Sequence, residues 1–127
     1  MIIGHGIDLQ EIAAIERAYR RNKKFANRIL TDAELSIFFQ KKSIKRQMEF
    51  LAGRWAAKEA FSKALGTGFR GAVNFSDISI LNNELGAPYV QLSGKLAVQI
   101  KNQGLKCHVS ISDTDSSAMA MVVIEKE

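Results

Sequence analysis

Apolar and polar residues alternate along the first segment of the chain, a pattern that predicts a β-strand. Ile3, His5 and Ile7 fall on one face of this strand, and Gly6 and Asp8 fall on the other. Because a glycine has no side chain, the backbone beside Asp8 is open to close approach by a ligand or another chain. The pattern therefore places a carboxylate at the end of an accessible strand.

Helical spacing of apolar residues follows this strand. It predicts a helix over about residues 10 to 20 and a longer one over about residues 45 to 65, which Gly66 stops. Between them, Thr31 and Glu34 form a capping-box pattern. A further helix is therefore expected to start at Thr31.

The second half of the chain has mostly strand-like patterns. Short alternating runs cover residues 73 to 81, 88 to 92, 107 to 112 and 118 to 124, with turn-rich sequence between some of them. One more helix is expected over about residues 93 to 104. These elements predict an α+β fold, in which early helices, including one long central helix, pack on a mostly antiparallel sheet.

The composition is that of an ordinary globular protein. The chain has 127 residues, of which 46% are hydrophobic and 24% charged, so we expect a single domain over residues 1–127. No segment approaches the roughly 18 apolar residues of a membrane span, and the N-terminus lacks the features of a signal peptide. Cys107 is the single cysteine and has no internal partner for a disulfide, which favours a reducing, cytoplasmic compartment. A catalytic role for this thiol is the less favoured interpretation, because Cys107 lies in an apolar alternating run.

The chain carries a formal net charge of +5. A basic protein favours acidic proteins, phosphorylated metabolites, anionic lipid or nucleic acid as partners. Charge alone does not choose among these classes.

Glu59 and Lys63 in the long helix are the first residues that point to chemistry. At about 100° per residue they share an arc of roughly 60° with Ala52 and Ala56, whose small side chains leave room for a ligand. An ordinary ion pair on a helix surface has the same spacing and contributes only about 0.2–0.5 kcal/mol. Asp8 favours the functional interpretation, because two carboxylates with a phosphate oxygen and waters are how proteins usually hold Mg²⁺.

A phosphate-bearing substrate fits the same part of the sequence. Lys63 can neutralise phosphate charge, and the backbone amides of Gly66, Thr67 and Gly68 can approach oxygens that a Cβ would block. Phosphoryl transfer needs mainly positioning and charge stabilisation from the protein. The set is therefore suited to that reaction class.

Three motifs resemble the holo-acyl-carrier-protein synthase family, and they occur in the family's order over nearly the whole chain. They are Gly6-Ile7-Asp8 with Glu11-Ile12, the block 49–68 that contains Trp55-Ala56-Ala57-Lys58-Glu59-Ala60-Phe61-Ser62-Lys63, and His108-Val109-Ser110-Ile111-Ser112. The W-x-x-K-E-A-x-x-K element combined with the early G-I-D is highly specific. The resemblance implies the 4′-phosphopantetheinyl transferase fold.

The resemblance also implies an activity. Such an enzyme moves 4′-phosphopantetheine from coenzyme A to a serine of apo-acyl carrier protein and releases adenosine 3′,5′-bisphosphate, in support of fatty acid biosynthesis. It further implies Mg²⁺ as cofactor, coenzyme A and the carrier as partners without nucleic acid or membrane, and a homotrimer with active sites between subunits.

Roles for individual residues follow from the same resemblance. Asp8 and Glu59 would hold Mg²⁺ and, with Lys63, form the catalytic set. The residues expected at coenzyme A are Arg46, Arg54, Lys63, Gly66, Thr67, Gly68, Pro88 and His108. The general base stays open between Glu59 acting through a water molecule and a hydroxide at the metal ion.

Two positions depart from the family pattern. Ala14 stands where members often carry an arginine that meets the acidic carrier, and Asp113 stands where a second histidine often occurs. Contact with the carrier must then depend on other cations. The nearby candidates are Arg17, Arg20, Arg21, Lys24 and Arg28.

Other residues have less specific interpretations. Lys45 and Arg46 are expected either at the nucleotide end of coenzyme A or in solvent. His5 is interpreted as a partly buried structural histidine. Trp55 is interpreted as a packing residue of the core or of a subunit contact.

The alternative from another class is a non-enzymatic module that binds RNA or DNA. Only the charge of +5 favours it, because the sequence has no zinc pattern, no basic recognition helix and no RNP-type motif. A different Mg²⁺-dependent nucleotide enzyme is disfavoured by the lack of a Walker loop and of a G-x-G-x-x-G motif.

Overall fold

The computed structural model describes residues 1–66 and 73–127, which form five strands, five α-helices and one 3₁₀ helix. The strands are β1 (Ile2–Glu11), β2 (Ile78–Asn82), β3 (Pro88–Leu92), β4 (Leu105–Asp113) and β5 (Ser117–Lys126). The α-helices are α1 (Ile12–Arg21), α2 (Lys24–Ile29), α3 (Asp32–Gln40), α4 (Ile44–Leu65) and α5 (Gly94–Asn102). The 3₁₀ helix spans Phe75–Asp77. Thr67 and Gly68, predicted to bind phosphate, lie outside the described residues.

The strands pair antiparallel, and the expected α+β fold is confirmed. Strands β1, β5 and β4 form one sheet in that order, and β2 pairs with β3 in a hairpin. In the first sheet, Asp8 of β1 and Ile111 of β4 both lie opposite Ala120 of β5. This register decides which side chains face α4 and which face away from it.

Helix α4 packs across β1 through backbone contact. A Cβ added to Gly6 would overlap the carbonyl oxygen of Ala60, and one added to Gly4 would overlap that of Ala64. The prediction that these glycines leave β1 open to a ligand is therefore wrong. What approaches them is the chain's own helix, since glycine permits close backbone packing.

The small residues on α4 also permit close packing. Ala52 and Ala56 are fully buried in the hydrophobic core. The expectation that they leave room for a ligand is therefore also wrong. They let the helix lie close to its neighbours, and only Glu59 and Lys63 of the predicted arc reach a site.

The predicted helix termini agree closely with the structure. Thr31 Oγ1 accepts a hydrogen bond from the Glu34 amide at 3.3 Å, and Glu34 Oε1 accepts one from the Thr31 amide at 2.9 Å, which completes the capping box. Helix α4 begins at Ile44, close to the predicted start, although its cap was not predicted: Ser43 Oγ accepts a hydrogen bond from the Arg46 amide at 3.2 Å. Gly66 ends α4 with φ of +69°, a conformation that favours glycine.

Two local predictions need correction. The run 73 to 81 is not one strand, because Asn74 accepts a hydrogen bond from the Ser76 amide at 3.1 Å and starts the 3₁₀ helix before β2. Helix α2 was not predicted, because it spans 6 residues and is too short to have a periodic apolar pattern.

Two groups of buried side chains surround α4. Phe61 packs with Ile78, Leu96 and Val122 on the side of the sheets and α5. On the other side, buried residues of α1 to α3 pack against the first half of α4. Trp55 lies at the edge of this second group, with its ring centroid 5.6 Å from that of Phe75, as expected for a packing residue.

Candidate active site

Three predicted residues meet where the second half of β1 lies against the last turns of α4. Lys63 Nζ donates hydrogen bonds to Asp8 Oδ1 at 3.2 Å and to the carbonyl oxygen of Ile7 at 3.0 Å. Glu59 lies one helical turn before Lys63, and the Asp8 charge is close enough to affect its pKa. The structure thus brings together the carboxylates of Asp8 and Glu59 and the ammonium of Lys63.

The electrostatics of this group favour a cation. Burial raises the pKa of Glu59, the negative charge of Asp8 raises it further, and Lys63 partly offsets both effects. The Asp8 side chain is 16% exposed, and its Oδ2 is buried without a donor among residues 1–66 and 73–127. A buried carboxylate oxygen without a partner is costly, so a bound cation would stabilise this arrangement.

Arg54 lies elsewhere on α4, where its guanidinium is held by the β2–β3 hairpin. Its Nε donates to the Ile80 carbonyl oxygen at 3.1 Å, and Nη2 donates to Asn82 Oδ1 at 2.6 Å. The guanidinium also lies 4.2 Å from the ring centroid of Phe50. Burial lowers the pKa of Arg54, and the charge of Glu34 opposes that effect. Pro88 pairs with Asn82 in the hairpin and so lies near this arginine.

A cleft of about 170 Å³ opens beside Arg54. Its lining residues are Lys41, Arg46, Glu49, Phe50, Gly53, Arg54, Ile111 and Asp113. Arg46 is 73% exposed and lies 3.4 Å from Glu49. Arg46, at the far end of the cleft, lies 13 positions before Glu59, or about 20 Å along α4, whereas Arg54, at the near end, lies only five positions before it, or about 8 Å. The helix therefore carries a cleft lined by cationic side chains on its first half and the two carboxylates with Lys63 on its last turns.

His108 lies on the opposite face of the three-stranded sheet from Asp8. His108 pairs with Val123, whereas Asp8 pairs with Ala120, so their side chains point to different faces. His108 Nε2 and Glu125 Oε1 are 2.8 Å apart. This hydrogen bond lowers the pKa of Glu125. One copy of the chain thus does not bring His108 to Lys63.

The sheet face that carries His108 is unusually apolar for an exposed surface. Five large hydrophobic side chains on it are between 41% and 68% exposed, namely Ile3, Ile7, Leu9, Met119 and Met121. His5 lies on the same face and is exposed, so its prediction as a partly buried residue is wrong for the single chain. Continuous exposed apolar surface of this kind commonly marks a protein interaction site.

Cys107 faces the interior side of β4. Burial raises the pKa of its thiol to about 11, so at neutral pH it is a protonated, weakly nucleophilic group. The structure therefore supports the packing role that its apolar run predicted.

The cations proposed to meet the carrier lie on α1 and α2. All five predicted candidates are exposed: Arg17, Arg20, Arg21, Lys24 and Arg28. Arg20 also bonds to Glu16 at 2.8 Å. The two helices therefore present a basic surface beside the first half of α4.

The sequence did not predict a buried ion pair between Glu34 and Lys58, whose charged atoms are 2.6 Å apart. Its only signals were the capping box that contains Glu34 and the Lys58-Glu59 step of the long motif.

Within the described ranges, no helix is long and apolar enough to cross a membrane. No group of three or more histidine, cysteine, aspartate or glutamate side chains that could hold a metal ion is found in those ranges either.

The fold and these residues define the chain's class. A sequence model of the 4′-phosphopantetheinyl transferase superfamily matches residues 4–122, and the chain belongs to that family. Relatives named holo-[acyl-carrier-protein] synthase are similar over the full length. The one from Streptococcus agalactiae serotype III (strain NEM316) is 54% identical over 127 residues, covering 100% of this chain and 99% of the relative. The one from Streptococcus thermophilus (strain LMD-9) is 52% identical over 126 residues, covering 99% of this chain and 98% of the relative.

Solved structures of the same name share the fold. The holo-[acyl-carrier-protein] synthase of Neisseria meningitidis is 41% identical with a TM-score of 0.90, over 99% of this chain and 100% of that one. The Bacillus anthracis enzyme, solved in complex with CoA (3′,5′-ADP), is 40% identical with a TM-score of 0.84, over 100% of this chain and 99% of that one. The fold class and the family resemblance expected from the sequence are thus confirmed.

Proposed function

We propose that this chain transfers 4′-phosphopantetheine from coenzyme A to a serine of apo-acyl carrier protein, with Mg²⁺ held by Asp8 and Glu59. The convergence of Asp8, Glu59 and Lys63 carries this proposal, in a chain whose full-length relatives are named for that reaction. The products are holo-acyl carrier protein and adenosine 3′,5′-bisphosphate. Fatty acid biosynthesis, a cytoplasmic location and a single domain belong to the same proposal.

The two carboxylates fit Mg²⁺ by their chemistry. Mg²⁺ prefers oxygen ligands, commonly one or two carboxylates completed by substrate phosphate and water. The buried Asp8 Oδ2 without a donor in the described chain and the raised pKa of Glu59 both favour a bound cation at this place. When bound, the ion supplies charge stabilisation to the diphosphate of coenzyme A.

Lys63 would neutralise the diphosphate from the other side. Its ammonium already lies at Asp8 and at the Ile7 carbonyl oxygen, within reach of a ligand between β1 and α4. The serine oxygen of the carrier then attacks the phosphorus that bears the pantetheine group, its hydroxyl proton passes to a base, for which Glu59 acting through a water molecule is the candidate on this chain, and the bond from that phosphorus to the bridging oxygen breaks. The leaving oxygen departs with adenosine 3′,5′-bisphosphate, and Lys63 offsets the charge that develops on the phosphates.

A homotrimer with inter-subunit sites explains why the predicted coenzyme A residues are dispersed. Lys63 is near the end of α4, Arg54 and Arg46 lie about 14 and 25 Å before it along the helix, and His108 is on the far face of the sheet. Because His108 and Asp8 lie on opposite faces of the sheet, a second copy would supply His108 to a ligand bound at Lys63. The exposed apolar face of β1 and β5 supports such an assembly.

The basic surface of α1 and α2 is the proposed docking site for the acidic carrier. Its exposed arginines and lysines would make the contact that an arginine often makes in the family at the position of Ala14. The nucleic-acid-binding alternative depended on net charge alone and gains no support from the relatives. Opposite charges would also accelerate the encounter between enzyme and carrier.

The decisive experiment combines the protein with coenzyme A, Mg²⁺ and an apo-acyl carrier protein, and then weighs the carrier by intact mass spectrometry. The proposal expects a gain of one phosphopantetheine, which is lost with EDTA or with Glu59→Gln. Glu84→Gln, at an exposed turn, is the matched control and should retain activity. An unchanged carrier mass with every carrier and metal would refute the proposal.

A further inference from the structure

Lys58 is a buried residue of helix α4, directly before Glu59, and its ammonium group makes three hydrogen bonds. Its Nζ donates to Glu34 Oε1 at 2.6 Å, to the Ile29 carbonyl oxygen at 2.6 Å and to the Phe75 carbonyl oxygen at 3.1 Å. The side chains of Lys58 and Glu34 are both 0% exposed. All three protons of the ammonium group therefore have partners.

Glu34 extends the same network to the second sheet. Its Oε2 accepts a hydrogen bond from the Ile80 amide at 2.8 Å, and its Oε1 also accepts from the Thr31 amide at 2.9 Å. The ion pair thus joins the end of α2, the start of α3, the middle of α4, the 3₁₀ helix and β2. Each contact outside α4 ends on a backbone atom or on Glu34, so the pair determines where whole elements lie.

Stability alone is a poor reason for this arrangement. Moving two charges out of water costs several kcal/mol per ion, and well-packed apolar residues of similar volume often stabilise a protein as well or better. Burial lowers the pKa of Lys58, and Glu34 opposes this effect. The direction is consistent with an unfavourable free energy of burying the ammonium charge. A positional role accounts for the pair better, because apolar side chains would not define the same hydrogen-bonded geometry.

The position of Lys58 connects two functional regions. Lys58 directly precedes Glu59, and its bond to the Ile29 carbonyl oxygen holds the last turn of α2. Helix α2 carries Lys24 and Arg28 on its exposed surface. A single ammonium group therefore links the helix of the carboxylate site to a helix of the basic surface.

We propose that Lys58 is a positioning residue that sets helix α2, and the carrier docked on it, relative to Glu59. The inference rests on the proposed function, because it assumes that the carrier binds the basic surface and that Glu59 acts at the diphosphate. Lys58 does not contact either substrate. A displacement of about 1 Å between reacting groups can cost on the order of 10²-fold in rate, so loss of the link affects the reaction with the carrier.

The test uses Lys58→Met and the double variant Glu34→Leu/Lys58→Met, in which no buried charge is left unpaired. Both should bind coenzyme A within about two-fold of the wild type by calorimetry, yet lose about ten-fold or more in kcat/KM for the carrier. The double variant should melt at a higher temperature than Lys58→Met without regaining kcat/KM. Leu96→Ala, in the core beneath α5, is the control that lowers the melting temperature without moving α2.

Failure of the proposed function and failure of the role of Lys58 give different results. If the wild type does not modify the carrier, the proposed function fails, whatever the variants do. If the wild type is active, the inference is overturned when kcat/KM recovers together with the melting temperature in the double variant. It is equally overturned when Lys58→Met behaves as Leu96→Ala does, or when the double variant fails to fold, because each result assigns the pair to stability alone.

Discussion

The ammonium of Lys63 lies 3.2 Å from the Asp8 carboxylate and 3.0 Å from the Ile7 carbonyl oxygen, which joins the last turns of α4 to β1. Both partners are acceptors on one strand, so the cation is directed to the place where the carboxylates meet. A substrate phosphate arriving there would find the charge already oriented, and would not have to order a flexible lysine first.

We expect Lys63→Ala to weaken coenzyme A binding by about ten-fold or more, because hydrogen bonds to charged groups contribute about 1.5–3 kcal/mol. Carrier binding should change less. Titration calorimetry with each substrate measures both effects. Lys101→Ala, at an exposed site in the last turn of α5, is the control. Equal losses for the two substrates would remove Lys63 from the phosphate site.

Replacing Glu59 should separate activity from stability. Glu59→Gln should abolish transfer, and in EDTA the variant should be more stable than the wild type at neutral pH by about 0.5 kcal/mol, the scale of partly exposed charge interactions. The sign follows from the raised pKa of Glu59. The folded protein holds this proton more tightly than the unfolded chain does, so wild-type stability falls as pH rises from about 4.3 through the raised folded pKa.

Urea unfolding of both proteins in EDTA, at acidic and neutral pH, measures that difference. The advantage of Glu59→Gln should be small in acid and appear as pH rises. Glu84→Gln should give no such pH-dependent gain. A variant that is less stable than the wild type at neutral pH would contradict the conclusion that burial, together with the Asp8 charge, raises the pKa of Glu59.

Gly6 in β1 and Gly53 in α4 should respond in opposite ways to substitution by alanine, because only Gly6 lies against backbone atoms of another element. Gly6→Ala places a Cβ against the Ala60 carbonyl oxygen and should destabilise the protein by about 3 kcal/mol, the upper end of ordinary overpacking. Gly53→Ala meets only Ile111 Cγ2 at 3.4 Å, and the gain in helix propensity of up to about 1 kcal/mol should make it neutral or stabilising. Thermal unfolding of the two variants measures the contrast, and similar melting temperatures would refute it.

The proposed trimer predicts that a charge on the apolar sheet face separates the subunits. Ile7→Asp should convert the trimer to a folded monomer that has lost most activity, because buried unpaired charges are strongly unfavourable in an interface. Light scattering after size-exclusion chromatography gives the mass, and far-UV circular dichroism tests folding. Leu85→Asp, at a side chain that is 95% exposed in a turn, should remain trimeric and active. A trimeric Ile7→Asp protein would place the interface elsewhere.

Much of the fold could be predicted because its signals are local. The capping box of Thr31 and Glu34, the glycine at the end of α4 and the alternation in the strands depend on neighbours in sequence. Helix α2 could not be predicted because its 6 residues are too few to show a repeating pattern of apolar positions. The 3₁₀ helix could not be predicted because it lies in a run that alternates as a strand does. The side chain of Asn74 caps it there.

The site itself was only partly accessible from sequence. Helical spacing placed Glu59 and Lys63 on one face, but their approach to Asp8 depends on how α4 crosses β1. Spacing also could not tell that the glycines and alanines around the site are covered by the chain itself. The ion pair of Glu34 and Lys58 joins residues 24 positions apart, and no local pattern indicates that both are buried. Such long-range contacts are defined by tertiary packing.

The backbone contact between β1 and α4 has a consequence for engineering the enzyme. Because Gly4 and Gly6 meet carbonyl oxygens of α4 directly, the separation of Asp8 from Glu59 depends on main-chain atoms that most substitutions leave in place. Exposed residues on α1 and α2 can thus be redesigned for a foreign carrier without disturbing the distance at which the two carboxylates stand.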